Sequence, residues 1–262
     1  GRALVMVSAL NLQTDVRSQV SAEEWDTRVD LAAAYRLVAH YGWTDMIFTH
    51  LSARVPGPDD HFLINPYGLM FDEITASNLV KVDLDGHIVM PSEYEINPAG
   101  FCIHSAIHMA RHDAKAVMHL HTDDGAAVSA MEEGLMPLTQ TAMVLLSQVA
   151  YHDYEGVALD LDERERLIKD IGDKKILILR NHGTLAAGES VSSCFMLMYL
   201  LERSCTMQVR AMSSGKLRLP SQKAIATSSN QGNRLIESEG LHKLAWPALL
   251  RMLDRTDVGY RE

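Results

Sequence analysis

The pair His119-Leu120-His121 closes an apolar run that begins at Ala116, and a third histidine, in Asn181-His182-Gly183, closes another. On a strand, residues i and i+2 share a face, so His119 and His121 can grip one metal ion while Leu120 packs behind them. The glycine after His182 lets backbone approach a ligand closely. Neutral imidazole ligates several divalent metals, and three protein ligands leave a position open for water or substrate. The cofactor expected at His119, His121 and His182 is therefore a divalent metal, zinc first, with manganese, iron or cobalt as alternatives. The plainer alternative for His119 and His121 is a pair of core or surface histidines that happen to alternate.

A rival set stands upstream. His104, His108 and His112 recur every four residues and so line one face of a helix. They lack the glutamate of a His-Glu-x-x-His site, and His112 sits in the turn-like Arg111-His112-Asp113. Packing against a sheet, or contact with a neighbouring subunit, is the reading preferred for them.

The elements that must position these groups alternate along the chain. Ser21-Ala22-Glu23-Glu24 is a capping box that launches a helix with Val29, Leu31, Tyr35 and Val38 on its apolar face, ending near Gly42. Strand-like segments follow at Met46 to Val55 and His61 to Asn65. Val80 to Leu84 and His87 to Met90 flank the hairpin signal Asp85-Gly86. Asn97-Pro98 supplies an N-cap and a first helical residue for a helix running to Arg111. After the His119 strand, Asp123 or Asp124 opens a helix, Leu145 to Tyr151 reads as a strand, and Asp160 or Asp162 caps a helix that ends at Gly172. Ile176 to Leu179 is a β-branched run that delivers His182, Gly183 and Gly188 bracket a further strand, and Ser190 to Met212 is a long helix packing through Phe195, Met198, Leu201 and Cys205. Glu202, next to Arg203 on that helix, reads as half of a solvated ion pair. The sum is an α/β sheet with helices outside it.

Composition bounds the function. With 262 residues, 47% of them hydrophobic, the chain can bury one large core. A formal charge of −10 argues against nucleic acid or anionic membrane as a partner. Cys102, Cys194 and Cys205 are too few and odd in number for a disulfide framework. No apolar stretch reaches the roughly 20 residues that cross a bilayer, and the first residues lack a basic segment followed by an apolar core. A cytoplasmic protein with a small-molecule substrate is expected. Its expected divisions are an N-terminal arm (1–20), a main domain (21–215) and a C-terminal extension with a short helix (216–262), the Ser-, Gln- and Asn-rich stretch Leu219 to Leu235 reading as a linker.

His119-Leu120-His121 and, 61 positions after His121, Asn181-His182-Gly183 resemble the paired metal-ligand motifs of the class II aldolase/adducin family. The likeness runs from about Trp25 to Arg210 and includes Asn97-Pro98-Ala99-Gly100-Phe101 and His104-Ser105-Ala106-Ile107-His108. It implies a three-layer α/β/α sandwich around a mainly antiparallel sheet, a homo-oligomer, commonly a tetramer, and His119, His121 and His182 as metal ligands. It also exposes a gap. The family's sugar-phosphate aldolases carry a Ser-Ser-Glu segment before the helix that leads to His-x-His, supplying phosphate donors and the catalytic acid/base. Pro98-Ala99-Gly100 falls there, and none of these side chains donates to phosphate or shuttles a proton.

Three residues are candidates for the missing role. His50, in Thr49-His50-Leu51-Ser52 where the aldolases have a small donor-rich turn, can bind an anion or move a proton, or be satisfied within the sheet. Glu93 lies upstream of the gap and can swing in, or be a solvated loop carboxylate. Tyr151, with His152 and Tyr154, follows a strand and offers a hydroxyl to a leaving carbanion, or is a Tyr-rich strand end. The combined expectation is a metal-dependent carbon–carbon lyase acting through a metal-stabilised enolate. The alternatives are a decarboxylase or non-haem iron oxygenase on the same scaffold, or a non-catalytic adducin-like interaction domain.

Overall fold

A computed structural model describes residues 16–157 and 162–262. Seven strands form one sheet in the order β3-β2-β1-β4-β7-β6-β5, where β1 is His50–Arg54, β2 His61–Ile64, β3 Val80–Asp83, β4 Ala116–Leu120, β5 Val149–His152, β6 Ile176–Leu179 and β7 Gly183–Gly188. Every neighbouring pair is antiparallel except β5 with β6. The mainly antiparallel α/β architecture is thus the one the resemblance implied.

Alternation along the central strands divides the core in two. On one face Val117, Leu177, Leu179, Leu185 and Ala187 pack against Ile103 and Ile107 of α2 (Pro98–Ala110) and Leu167 and Ile171 of α5 (Glu163–Ile171). On the other, Leu51, Met118, Leu120, Ile178 and Ala186 meet α1 (Ala22–His40) and α6 (Val191–Ser213). The shorter α3 (Asp123–Ser129) and α4 (Gln140–Met143) pack on this second side, with Val128 and Ala142 in its core. Phe195, Met198, Leu201 and Cys205 are the buried stripe of α6, as their spacing predicts. All three cysteines are free.

The helix starts follow local chemistry. Ser21 Oγ accepts from Glu24 N, Asn97 Oδ1 from Ala99 N, and Ser190 Oγ from Ser193 N. The capping box at Ser21 is only half as expected: the Glu24 carboxylate turns to Arg28 Nε (2.8 Å) and Lys81 Nζ (2.6 Å) instead of its own N-terminus. Asp162 stands at the N-cap of α5, while the other candidate cap, Asp160, and most of the expected arm lie outside the described residues.

Two expectations are corrected. The strand expected from Met46 begins only at His50, because Met46 (φ 47°) and Thr49 (φ 66°) are left-handed. The C-terminal extension is neither linker nor a single short helix. It forms α7 (Gln222–Glu237) and α8 (Ala245–Thr256), which bring Ile236, Trp246 and Leu253 into the main core. Among the described residues, no helix is long and apolar enough to cross a membrane.

Candidate metal centre

β4 ends on His119 and Leu120, and β7 pairs with it so that His119 faces Leu185 and Leu120 faces Thr184. This register brings the turn before β7, which carries His182, against the end of β4. Asn181 takes a left-handed φ of 58° there. The approach needs glycine next: a Cβ on Gly183 would lie 2.3 Å from the Leu120 carbonyl oxygen. Among the described residues, the non-glycine left-handed positions are Met46, Thr49 and Asn181, each beside a residue of this centre.

The three expected ligands converge. His121 Nε2 lies 2.9 Å from His119 Nε2 and 2.7 Å from His182 Nε2. Outer contacts assign the tautomers. His119 Nδ1 donates to the Thr184 carbonyl (2.8 Å) and His121 Nδ1 to Asp45 Oδ2 (3.1 Å), so the facing Nε2 atoms of His119 and His121 present lone pair to lone pair. A cation turns that repulsion into ligation, and a second partner on Nδ1 is the usual way to orient a ligating imidazole. Burial, then the neighbouring His121 and His182, hold His119 well below the ordinary histidine range; burial and His121 push His182 down to about 4. Both are neutral near pH 7, the form that binds metal. The donor set fits a divalent ion.

His50 lies on the same sheet face as the centre. It pairs in register with His119 across β1 and β4, which sets both side chains on the same face. Its Nδ1 meets Asn65 Oδ1 at 2.7 Å, and its Nε2 receives Asn97 Nδ2 at 3.2 Å. Burial lowers its pKa, the Asn65 bond opposing.

Two of the rival histidines are buried on the sheet-facing side of α2: Ser52 Oγ bridges His104 Nδ1 (2.6 Å) and His108 Nε2 (2.8 Å), while His112 is exposed. Glu93 is exposed on a loop beside Tyr94. Tyr151 is not brought to the histidines: it pairs with Ile178, on the opposite sheet face, its hydroxyl accepts from Leu135 N (3.0 Å), and Arg180 lies over its ring. Of the Tyr151 cluster, Tyr154 comes nearest, its ring centroid 6.5 Å from that of His182. His152 is held between Asp170 Oδ2 (2.6 Å) and Glu163 Oε1 (3.1 Å).

Two acids escaped the sequence. Asp45, which orients His121, stands 76 residues from it. Glu202 is no solvated ion pair but is 1% exposed, accepting from Thr122 Oγ1 and Thr184 Oγ1. A cavity of about 600 Å³ runs past His121, Asp45, Thr122 and Glu202 to Arg203 and Arg210.

Residues 29–209 match the Class II Aldolase and Adducin N-terminal domain. A Caulobacter vibrioides protein named provisionally as a class 2 aldolase is 56% identical, over 94% of this chain and 96% of its own. Rat alpha-adducin is 43% identical over 89% of this chain, which spans only 33% of that protein. The structure of L-fuculose 1-phosphate aldolase from Glaciozyma antarctica superimposes with a TM-score of 0.81 at 29% identity, covering 92% of this chain and 94% of that one. The match over residues 29–209, and the 56% identity to a relative covered almost end to end, show that the chain belongs to the class II aldolase and adducin N-terminal domain family.

Proposed function

We propose that the protein is a metal-dependent carbon–carbon lyase of the class II aldolase type, acting on a small hydroxy-carbonyl or carboxylate substrate. The observation that carries this reading is the convergence of three Nε2 atoms, with the Nδ1 protons of His119 and His121 committed elsewhere. His119, His121 and His182 would hold the ion, zinc first, then manganese, iron or cobalt. A divalent cation bound there supplies a Lewis acid that polarises substrate oxygens and stabilises the negative charge left when a carbon–carbon bond breaks.

The chain's own residues do the rest. With Nδ1 donating to Asn65 Oδ1, the neutral His50 has its one lone pair on Nε2, where it accepts from Asn97 Nδ2. A substrate hydroxyl that displaces the Asn97 amide would give Nε2 its proton, the oxygen becoming the new carbonyl. Tyr154, beside His182, is better placed than Tyr151 or Glu93 to return a proton to the leaving carbon. A cytoplasmic homo-oligomer, tetrameric by family likeness, completes the reading.

The likeness to alpha-adducin supports a second reading, a non-catalytic interaction domain. The presence of all three histidines, His119 and His121 with outer partners on Nδ1, favours the enzyme. Decarboxylation and iron-dependent oxygenation separate from aldol cleavage by their products and by metal replacement.

Elemental analysis of the purified protein with its His119→Ala and His182→Ala variants tests the centre. A product screen over sugar phosphates, hydroxy acids and aromatic carboxylates tests the reaction. Wild-type protein that takes up no divalent metal, or variants that keep it in full, sink the proposal.

A further inference from the structure

We infer that Glu202 is a positioning residue for the histidine centre: its buried carboxylate ties together the two backbone segments that aim His119 and His121. This rests on the metal reading above. Glu202 projects from α6, with Oε2 accepting from Thr122 Oγ1 at 2.5 Å and Oε1 from Thr184 Oγ1 at 2.7 Å. Thr122 follows His121 in the chain, and its Oγ1 also accepts from Gly125 N at 2.9 Å to start α3. Thr184 is the residue whose carbonyl receives the His119 Nδ1 proton. One carboxylate therefore pins the residue after one ligand and the residue that sets the tautomer of another.

Core packing alone is a poor explanation for an acid at this position. The recorded donors to Glu202 are two hydroxyls, while Arg203, its neighbour, donates to the Tyr199 hydroxyl (3.2 Å). A buried carboxylate without a cation in contact costs stability that an apolar side chain of the same volume would not. Burial and nearby Asp124 raise its carboxyl pKa, and the two hydroxyl bonds oppose that rise. The charge has a use next to a cation. Three neutral imidazoles bring no charge to a divalent ion, whereas Asp45 behind His121 and Glu202 behind Thr122 and Thr184 place two carboxylates just outside them. The same carboxylates line the cavity of about 600 Å³ that opens at His121.

The test measures metal affinity, not turnover. Glu202→Gln keeps the volume and removes the charge. Thr184→Val removes one hydroxyl but keeps the carbonyl on His119, and Thr184→Ser retains the hydroxyl. Zn²⁺ affinity is read by competition with a chromophoric chelator, and coordination geometry from the visible spectrum of the Co²⁺-loaded protein. Glu202→Gln and Thr184→Val, one contact further out than a direct partner of a ligand, are expected to weaken Zn²⁺ by up to about 10-fold, the low end of the effect of losing such a partner, and to alter the Co²⁺ bands. Thr184→Ser is expected to match wild type. Wild-type affinity and an unchanged spectrum in Thr184→Val overturn the inference, and this comparison decides even if Glu202→Gln fails to fold. Wild-type protein that binds neither Zn²⁺ nor Co²⁺ overturns the metal reading itself, and the inference with it.

Discussion

The imidazole of His50 fills the space that a side chain on Gly100 would need: a Cβ there would lie 2.0 Å from His50 Cδ2 and 2.3 Å from Nε2. Position 100 is where the resemblance to the sugar-phosphate aldolases implies a glutamate. The ring on β1 and the missing side chain on α2 are thus two halves of one arrangement. The His50 ring is held by Asn65 at 2.7 Å and cannot retreat without losing that bond. Gly100→Ala is expected to destabilise the protein by about 1–3 kcal/mol, as overpacking does. In a His50→Ala background most of that cost should vanish, a coupling of the size seen between touching residues. Urea denaturation of the four proteins measures it, and additive effects would show that the two positions are independent.

Asp45 gives a second prediction. As the acceptor for His121 Nδ1–H, it fixes which nitrogen of that ring is free. Asp45→Ala should lower metal affinity about 10- to 100-fold, the range for losing an outer-shell partner, and His182→Ala, which on the proposed reading removes a ligand outright, should lower it further. Chelator competition on the two variants checks the order. A His182→Ala protein that binds more tightly than Asp45→Ala would mean that His182 is not a ligand.

Local chemistry explains which parts of this molecule are legible in its sequence. Ile176–Leu179 and Gly183–Gly188 coincide with the strands read from an apolar run between charged residues and a run bracketed by glycines. Asn97-Pro98 and Ser190 cap helices because the capping bonds span only two or three residues. His119, His121 and His182 stand out because strand ends carry them. Asp45 and Glu202 do not, since their partners lie 76 residues away for Asp45 and 18 and 80 for Glu202, and no spacing rule connects them. The left-handed turn at Met46 and Thr49 is equally silent, neither residue type being one that announces positive φ. In the C-terminal segment, polar composition misleads because a helix docked on a larger body needs only a narrow apolar stripe.

That docking makes a third prediction. Trp246 of α8 is 6% exposed, its ring centroid lies 5.7 Å from that of Phe195 on α6, and its Nε1 donates to Asp30 Oδ1 of α1 at 3.1 Å. A tryptophan so placed belongs to the main core. Trp246→Ala should cost about 3–5 kcal/mol, the range for removing a large buried aromatic. A change below about 1 kcal/mol in urea denaturation would mean that α8 is an appendage after all.

The buried His108 makes stability depend on acid. Its Nδ1 donates to the Ala114 carbonyl (2.8 Å) and its Nε2 accepts from Ser52 Oγ (2.8 Å), so the folded protein holds it neutral, with burial pushing its pKa down to about 3. In the unfolded chain the same imidazole titrates near 6.5. Between those values the unfolded state binds a proton that the folded state refuses. The contribution is therefore complete above about pH 6.5 and is lost as pH falls toward 3, at up to about 1.4 kcal/mol per pH unit. His104 also has its pKa lowered, chiefly by burial, and contributes with the same sign, while carboxylates held below their usual range, such as Asp254 and Asp113, weaken the fold at lower pH still. His108→Asn isolates the one group, because its amide can still donate to Ala114. The variant should be less stable at pH 7, yet its unfolding free energy should fall less steeply between pH 6 and 4, by about one proton's worth of slope. Parallel slopes for the two proteins would show that His108 is not held neutral by the fold.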